Sequence, residues 1–395
     1  MLNKGKNQLV SVVNPVTNRL AVTSGEIKQV LVDHFRSALN GEDEKISPVT
    51  AEHRRIADQV YAKKSGIDER WFEPLMQPTT NDELIKTLRS GKYVVAPGGR
   101  DSVSTGVWRC AAERDGRVLA SLVSFVNACI RLRYMPTVGR DSVIVPILKK
   151  PSEERNTANL RPISLQCGLT KILCKLLALR LTGILAAHPV LHDAQEAFLR
   201  GRSSFKCVDI CLDIWEHARR HRKTCVNVFY DIRAAYDSVR HEDLLRALRR
   251  LSLPPAFVEF VATSLQNLSS CVRTAYGCSA WFSVTRSVRQ GDPLAPILYI
   301  CFMDPLHCGL ECNPCFDGSR DGYRIGSIVI ASKGFADDTW IVSDSIAGLT
   351  RLHYWVVVFC MINGLVCMKE KRSWLGGPNQ ASVFLMASSQ SIPVP

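Results

Sequence analysis

The chain is expected to hold no membrane-spanning run, and it has no low-complexity tract and no internal repeat. Its N-terminal Met1-Leu2-Asn3-Lys4-Gly5-Lys6 lacks the apolar core of a secretory signal. The most apolar stretch, Tyr354 to Met368, is broken by Asn363-Gly364 and falls short of the roughly 20 residues a spanning helix needs. It reads as a buried helix, with no membrane partner. A Gly-rich Walker loop, a His-Glu-x-x-His pair and a Gly-x-Ser-x-Gly elbow are all missing, so nothing supports a P-loop NTPase, a zincin or a nucleophile-elbow hydrolase. The 15 cysteines form no disulfide framework and follow no leader, which suits reduced thiols in an intracellular protein, nuclear or cytoplasmic. Cys308, Cys312 and Cys315, with His307 beside them, are the one cluster open to zinc, but their spacing fits no common finger. Negative charge is in deficit: 37 Asp and Glu against 50 Lys and Arg leave a net +13. That balance suits a polyanionic partner, although many basic proteins have none.

What the chain does have is a pair of adjacent carboxylates in a distinctive setting. Phe335-Ala336-Asp337-Asp338 lies between the apolar runs Ile328-Val329-Ile330-Ala331 and Thr339-Trp340-Ile341-Val342-Ser343. The two runs are expected to form a hairpin with the acids at its tip. Neighbouring carboxylates repel, so such a pair is either fully solvated or holds a cation. A third acid, Asp231, ends the strand-like run Cys225-Val226-Asn227-Val228-Phe229-Tyr230, and Tyr236-Asp237 follow it by five and six residues. Between the acidic sites, Arg289-Gln290-Gly291-Asp292-Pro293-Leu294-Ala295-Pro296 opens an apolar helical stretch.

In this order the three segments resemble motifs A, B and C of reverse transcriptases, most closely those of non-LTR (LINE-type) retrotransposons. Gln195-Glu196-Ala197-Phe198-Leu199-Arg200-Gly201-Arg202-Ser203 resembles a further signature of that family, with Ala197 where it has Gly. Ala96-Pro97-Gly98-Gly99-Arg100-Asp101 resembles its Ala-Pro-Gly-x-Asp turn, and Gly364 to Lys371 its motif D, with Met368 in place of the usual Asn. The resemblance implies an α+β fold of right-hand polymerase type. Residues 1–90 then form a helical connector, 91–223 the fingers and 224–375 the palm. The tail 376–395 is too short for a helical thumb, which is expected to be missing or truncated.

The resemblance also assigns roles. Asp231, Asp337 and Asp338 are the expected catalytic and metal-binding acids. They hold two Mg²⁺ ions, for which Mn²⁺ can substitute, because nucleotidyl transfer needs hard oxygen ligands and two cations about 3.5–4 Å apart. Lys149 and Arg161 match residues that hold the incoming triphosphate; alone they also read as a solvated strand end and a structural ion-pair partner. Tyr236 matches the bulky ring that excludes a 2′-hydroxyl, where a lone aromatic would read as core. Gln290 and Gly291 belong to the motif B loop, and Lys371 is a candidate general acid. Asp237 reads more as a structural acid than as a ligand. The expected function is RNA-directed DNA polymerase, with RNA template, DNA primer and dNTP as partners. A longer parent protein is expected to supply the thumb and the endonuclease. Competing readings are a remnant that binds nucleic acid without turnover and a related intron-encoded or viral polymerase; Phe-Ala-Asp-Asp in place of Gly-Asp-Asp disfavours the viral one.

Overall fold

The computed structural model describes residues 9, 11–42, 48–90, 98–149 and 156–367. Met368 and Lys371, the tail, and Ala96-Pro97 lie outside them.

The chain begins with a short hairpin, Val12–Val13 (β1) and Leu20–Ala21 (β2), and then the helix Ser24–Asn40 (α1). Thr23 caps α1 reciprocally with Glu26, and Gly41 closes it in the left-handed conformation. Ile27, Val30, Leu31 and Phe35 repeat in the sequence at helical spacing and form its buried face. Ala51–Val60 (α2), a 3₁₀ segment at Glu69–Met76, Asn81–Arg89 (α3), Thr105–Arg114 (α4) and Gly116–Leu132 (α5) follow.

Two larger sheets and one further hairpin carry the rest. Asp141–Leu148 (β3) pairs antiparallel with Leu160–Leu165 (β4), and Gly168–Ala187 (α6) and Ser204–His221 (α7) come next. Val226–Tyr230 (β5) leads into His241–Arg250 (α8) and Pro255–Ser264 (α9). Leu268–Thr274 (β6) joins β3 in parallel and folds back through Gly277–Cys278 (β7) and Phe282–Val284 (β8). Ala295–Glu311 (α10) then runs through the core to Tyr323–Ile325 (β9), Ile328–Ile330 (β10), Ser332–Phe335 (β11), Asp338–Ser343 (β12) and Ile346–Asn363 (α11). Mixed helices and sheets make the fold α+β, as expected.

The second sheet runs β11-β12-β5, all antiparallel. Strand period two divides β12: Ile341 joins the main core, while Trp340 and Val342 pack with Cys211, Ile214 and Ala218 of α7. Helices α10 and α11 back the sheet. They meet closely at Gly309, where a Cβ would sit 2.4 Å from the Trp355 ring. Trp355 Nε1 donates to the Leu306 carbonyl at 2.9 Å across the same seam. Helix α11 is the one described helix long and apolar enough to cross a membrane, and it is packed as the buried helix behind the hairpin.

Two expectations need correction. The first strand of the acidic hairpin is Ser332–Phe335, not Ile328–Ala331, whose Ile328–Ile330 part pairs with β9 in a separate hairpin. Apolar content favoured the isoleucine run, but tertiary packing favours Ser-Lys-Gly-Phe. Gly334 leaves room for the buried His307 ring, whose Nε2 lies 2.6 Å from where a Cβ would be. In α7, where the spacing of Phe205, Val208, Leu212 and Trp215 predicts one apolar face, Phe205, Val208 and Leu212 point outward, with Phe205 78% exposed, and Trp215 alone of the four is half-buried against the β12 side. The face that β12 selects is the smaller one, Cys211, Ile214 and Ala218.

Candidate active site

Asp231 follows directly on β5, and Asp338 opens β12. Thr339 is the register partner of Tyr230. One further step along the ladder therefore sets Asp338 opposite Asp231, with Asp337 beside them in the β11–β12 turn. Asp337 and Asp231 are half-buried and Asp338 is exposed. The charge of Asp337 also reaches the Tyr236 hydroxyl: burial first, then Asp337, pushes that phenol well above its usual range. The structure thus brings the three acids to one end of one sheet. Among the described residues no three His, Cys, Asp or Glu side chains close into a ready-made metal cage. The donor set is nonetheless all carboxylate oxygen and partly open to solvent, which fits Mg²⁺, a cation that keeps several of its waters.

Motif B forms the adjoining floor. The Gln290 carbonyl accepts from the Ser164 N–H at 2.7 Å, tying the loop to β4. Gly291 has φ +115°, and a Cβ there would lie 2.7 Å from the Ser164 carbonyl oxygen, so both conformation and space demand glycine. Gln290 Nε2 donates to Asp237 Oδ2 at 3.3 Å. Burial pushes the Asp237 carboxyl up to about 7, against the pull of Arg286, Lys149 and that hydrogen bond. Asp237 is thus a buried acid beneath the loop, in line with the structural role expected for it.

Lys149 and Arg161 lie at one end of the β3–β4 pair. Ile147 is opposite Arg161, and Lys149, two residues on, shares the face of Ile147. Arg161 and Lys149 are exposed, and Lys149 Nζ donates to the Ala158 carbonyl at 2.8 Å. The field of Lys149 reaches Asp237, which links this end of the β3–β4 pair to motifs A and B. Tyr236 is half-buried against α10.

Sequence reasoning missed two residues. Arg289 is buried and donates to the carbonyls of Gly139 and Arg140 at 3.1 and 3.0 Å. Asp292 accepts from Gln166 Nε2 at 3.0 Å and from the Leu294 N–H at 2.9 Å, just ahead of α10. The available signal was the Asp-Pro pair before an apolar helix, a helix-start pattern. Asp101 acts similarly at α6, taking the Cys167 thiol at 2.9 Å and the Gly168 N–H at 3.4 Å.

The zinc alternative finds two of its three thiols turned to other partners. Cys308 donates to Asp304 and Cys312 to the Gly318 carbonyl, each at 3.5 Å, while His307 Nδ1 meets the Ser332 hydroxyl at 3.1 Å.

Residues 147–382 match the family model described as reverse transcriptase (RNA-dependent DNA polymerase). The Pol polyprotein of a type-1 R2 retrotransposable element from Popillia japonica is 29% identical over 75% of the chain and 39% of its own length. The R2DM Pol polyprotein of Drosophila melanogaster is 24% identical over 90% of the chain and 33% of its own length. The probable RNA-directed DNA polymerase from transposon BS of the same fly is 27% identical over 59% of the chain and 25% of its own length. The chain thus spans well under half the length of these relatives. With more than half of its residues inside the family model, the chain belongs to the reverse transcriptase family, among the non-LTR retrotransposon members.

Proposed function

We propose that the chain catalyses RNA-templated DNA synthesis by two-metal nucleotidyl transfer, taking an RNA template, a DNA primer and dNTPs. The observation that carries this reading is the β5–β12 register, which sets the acid of motif A against those of motif C.

In this reading Asp231, Asp337 and Asp338 offer oxygen ligands for two Mg²⁺ or Mn²⁺ ions. When bound, such ions lower the pKa of the primer 3′-hydroxyl and offset charge on the departing pyrophosphate. Lys149 and Arg161 meet the triphosphate away from the acids, Arg161 with a two-pronged fork and Lys149 as a point charge. Tyr236 lies under the sugar and leaves no room for a 2′-hydroxyl. Gln290 and Gly291 present backbone to the nucleotide, since glycine lets it approach closely. Lys371, outside the described residues, is the candidate proton donor to pyrophosphate. The fingers then comprise residues 91–223 and the palm 224–375.

The test is primer extension on an RNA template at low salt, with Asp231→Asn and Asp337→Asn compared with the parent. Each variant keeps the side-chain shape and removes a charged ligand. Extension is expected to fall roughly a hundredfold or more, with thermal stability retained. Near-parental extension by either variant sinks the assignment.

A further inference from the structure

We propose that Gln195 is a positioning residue for the acidic turn: its buried amide holds Ala336 in the left-handed conformation and so fixes where Asp337 and Asp338 point. The inference rests on the reading of those acids as the ligand set.

Strands β11 and β12 are joined by only two residues, Ala336 and Asp337. Ala336 has φ +59°, a conformation a residue with a Cβ avoids unless its surroundings impose it. The two-residue connection itself calls for such a φ, and a single side chain braces it there. Gln195 Oε1 accepts from the Ala336 N–H at 2.8 Å, and Gln195 Nε2 donates to the Ala336 carbonyl at 3.2 Å. Both polar backbone groups of the strained residue are therefore engaged by one amide, as a neighbouring strand would engage them. Gln195 is 1% exposed, so no water competes for these bonds.

The amide is itself held. Oε1 also accepts from the Ala197 N–H at 3.1 Å, and Arg202 donates to the Gln195 carbonyl at 2.7 Å. The Glu196 N–H donates to the Gly334 carbonyl at 2.8 Å, and the Gly334 N–H to the Ala194 carbonyl at 2.9 Å. Residues 194–196 thus run in parallel beside β11, with Gln195 bridged to Gly334, and cover the outer edge of the sheet. Strand β11, the turn and β12 are consequently fastened from outside the hairpin. A glutamine amide supplies the donor and the acceptor on two separate atoms; a carboxylate would accept alone and add charge beside the acids, and an apolar chain would do neither.

The test uses Gln195→Met, similar in length without the amide, and the double variant Gln195→Met with Ala336→Gly. Mn²⁺ binding to the 395-residue chain is followed by the loss of the free-ion EPR signal, with Asp231→Asn as the control. Thermal melts and primer extension accompany it. Gln195→Met is expected to weaken Mn²⁺ binding and lower kcat by about tenfold, the scale for groups that orient metal ligands, while the KM for dNTP stays within about twofold. The double variant is expected to regain most of the Mn²⁺ affinity, because glycine adopts φ near +59° without a Cβ penalty. Parental Mn²⁺ affinity in Gln195→Met, or no recovery in the double variant, overturns the role of Gln195. If Gln195→Met does not fold, Gln195→Asn, whose shorter amide cannot span both groups, is held to the same ordering. If the parent binds Mn²⁺ no better than Asp231→Asn, the reading of the acids falls and this inference with it.

Discussion

Tyr236 lies flat against Tyr299 of α10, ring centroids 4.7 Å apart and planes within 9° of parallel. Tyr299 is fully buried and belongs to the helix that motif B opens, so the motif A ring rests on a rigid support. A ring so backed is held in place, as the sugar-gate role proposed for it requires. Tyr236→Val is expected to raise the efficiency of ribonucleotide incorporation relative to deoxynucleotide by about tenfold or more, the scale of removing a steric exclusion of a few kcal/mol. Competing rNTP and dNTP incorporation on one primed template measures it. An unchanged ratio would leave Tyr236 as packing for α10 alone.

Lys149 and Arg161 share a face at one end of the β3–β4 pair. Lys149→Ala and Arg161→Ala are each expected to raise the KM for dNTP by about tenfold, the loss of one charged phosphate contact, and to change template affinity by less than about twofold. Steady-state kinetics beside a filter-binding titration separate the two. Equal losses in both would make these residues contacts to the nucleic-acid backbone.

Asp237 has a pH signature. Its carboxyl is raised from an ordinary 3.8 to about 7 by burial, so folding favours the protonated form. The native state then binds the extra proton between those values, and the associated stability is full below pH 3.8 and lost as pH rises through 7. Asp237→Asn, permanently neutral, is expected to be more stable than the parent at pH 8 and to approach it near pH 4. Thermal melts of both proteins across that range measure the divergence. Parallel curves would mean that the buried acid does not titrate there.

Gly309 sits where α10 meets α11, with room for no Cβ beside the Trp355 ring. Gly309→Ala is expected to destabilise the fold by about 1–3 kcal/mol, the usual cost of overpacking a filled core. Chemical denaturation reads it as a lower midpoint with unchanged slope. A parental midpoint would show that the helices can part without loss.

The sequence exposed the parts of this molecule whose physics is local. Ile27, Val30, Leu31 and Phe35 repeat at helical spacing and are buried as that spacing demands. Asp231 and the Asp337-Asp338 pair stand at strand ends that apolar runs announce. What stayed hidden depends on partners distant in the chain. Nothing near Ser332-Lys333-Gly334-Phe335 says strand; Gly334 is needed because His307 occupies the space a side chain would take. Nothing near Phe205, Val208 and Leu212 says that β12 packs against the other face of their helix. Arg289 looked like a motif residue and proved to be a tie to the carbonyls of Gly139 and Arg140.

The pairing of β5 with β12 has a consequence for how the molecule is made. Asp231 and Asp337 are separated by 106 residues of chain, and no shorter loop joins their strands. During synthesis the second acid emerges only after α8, α9, α10 and the β6–β8 hairpin have been released. The closure that unites the acids carries the entropy of a long loop, and such non-local contacts form slowly. The nascent chain therefore passes through a period in which the bulk of its core can condense while its carboxylates remain apart.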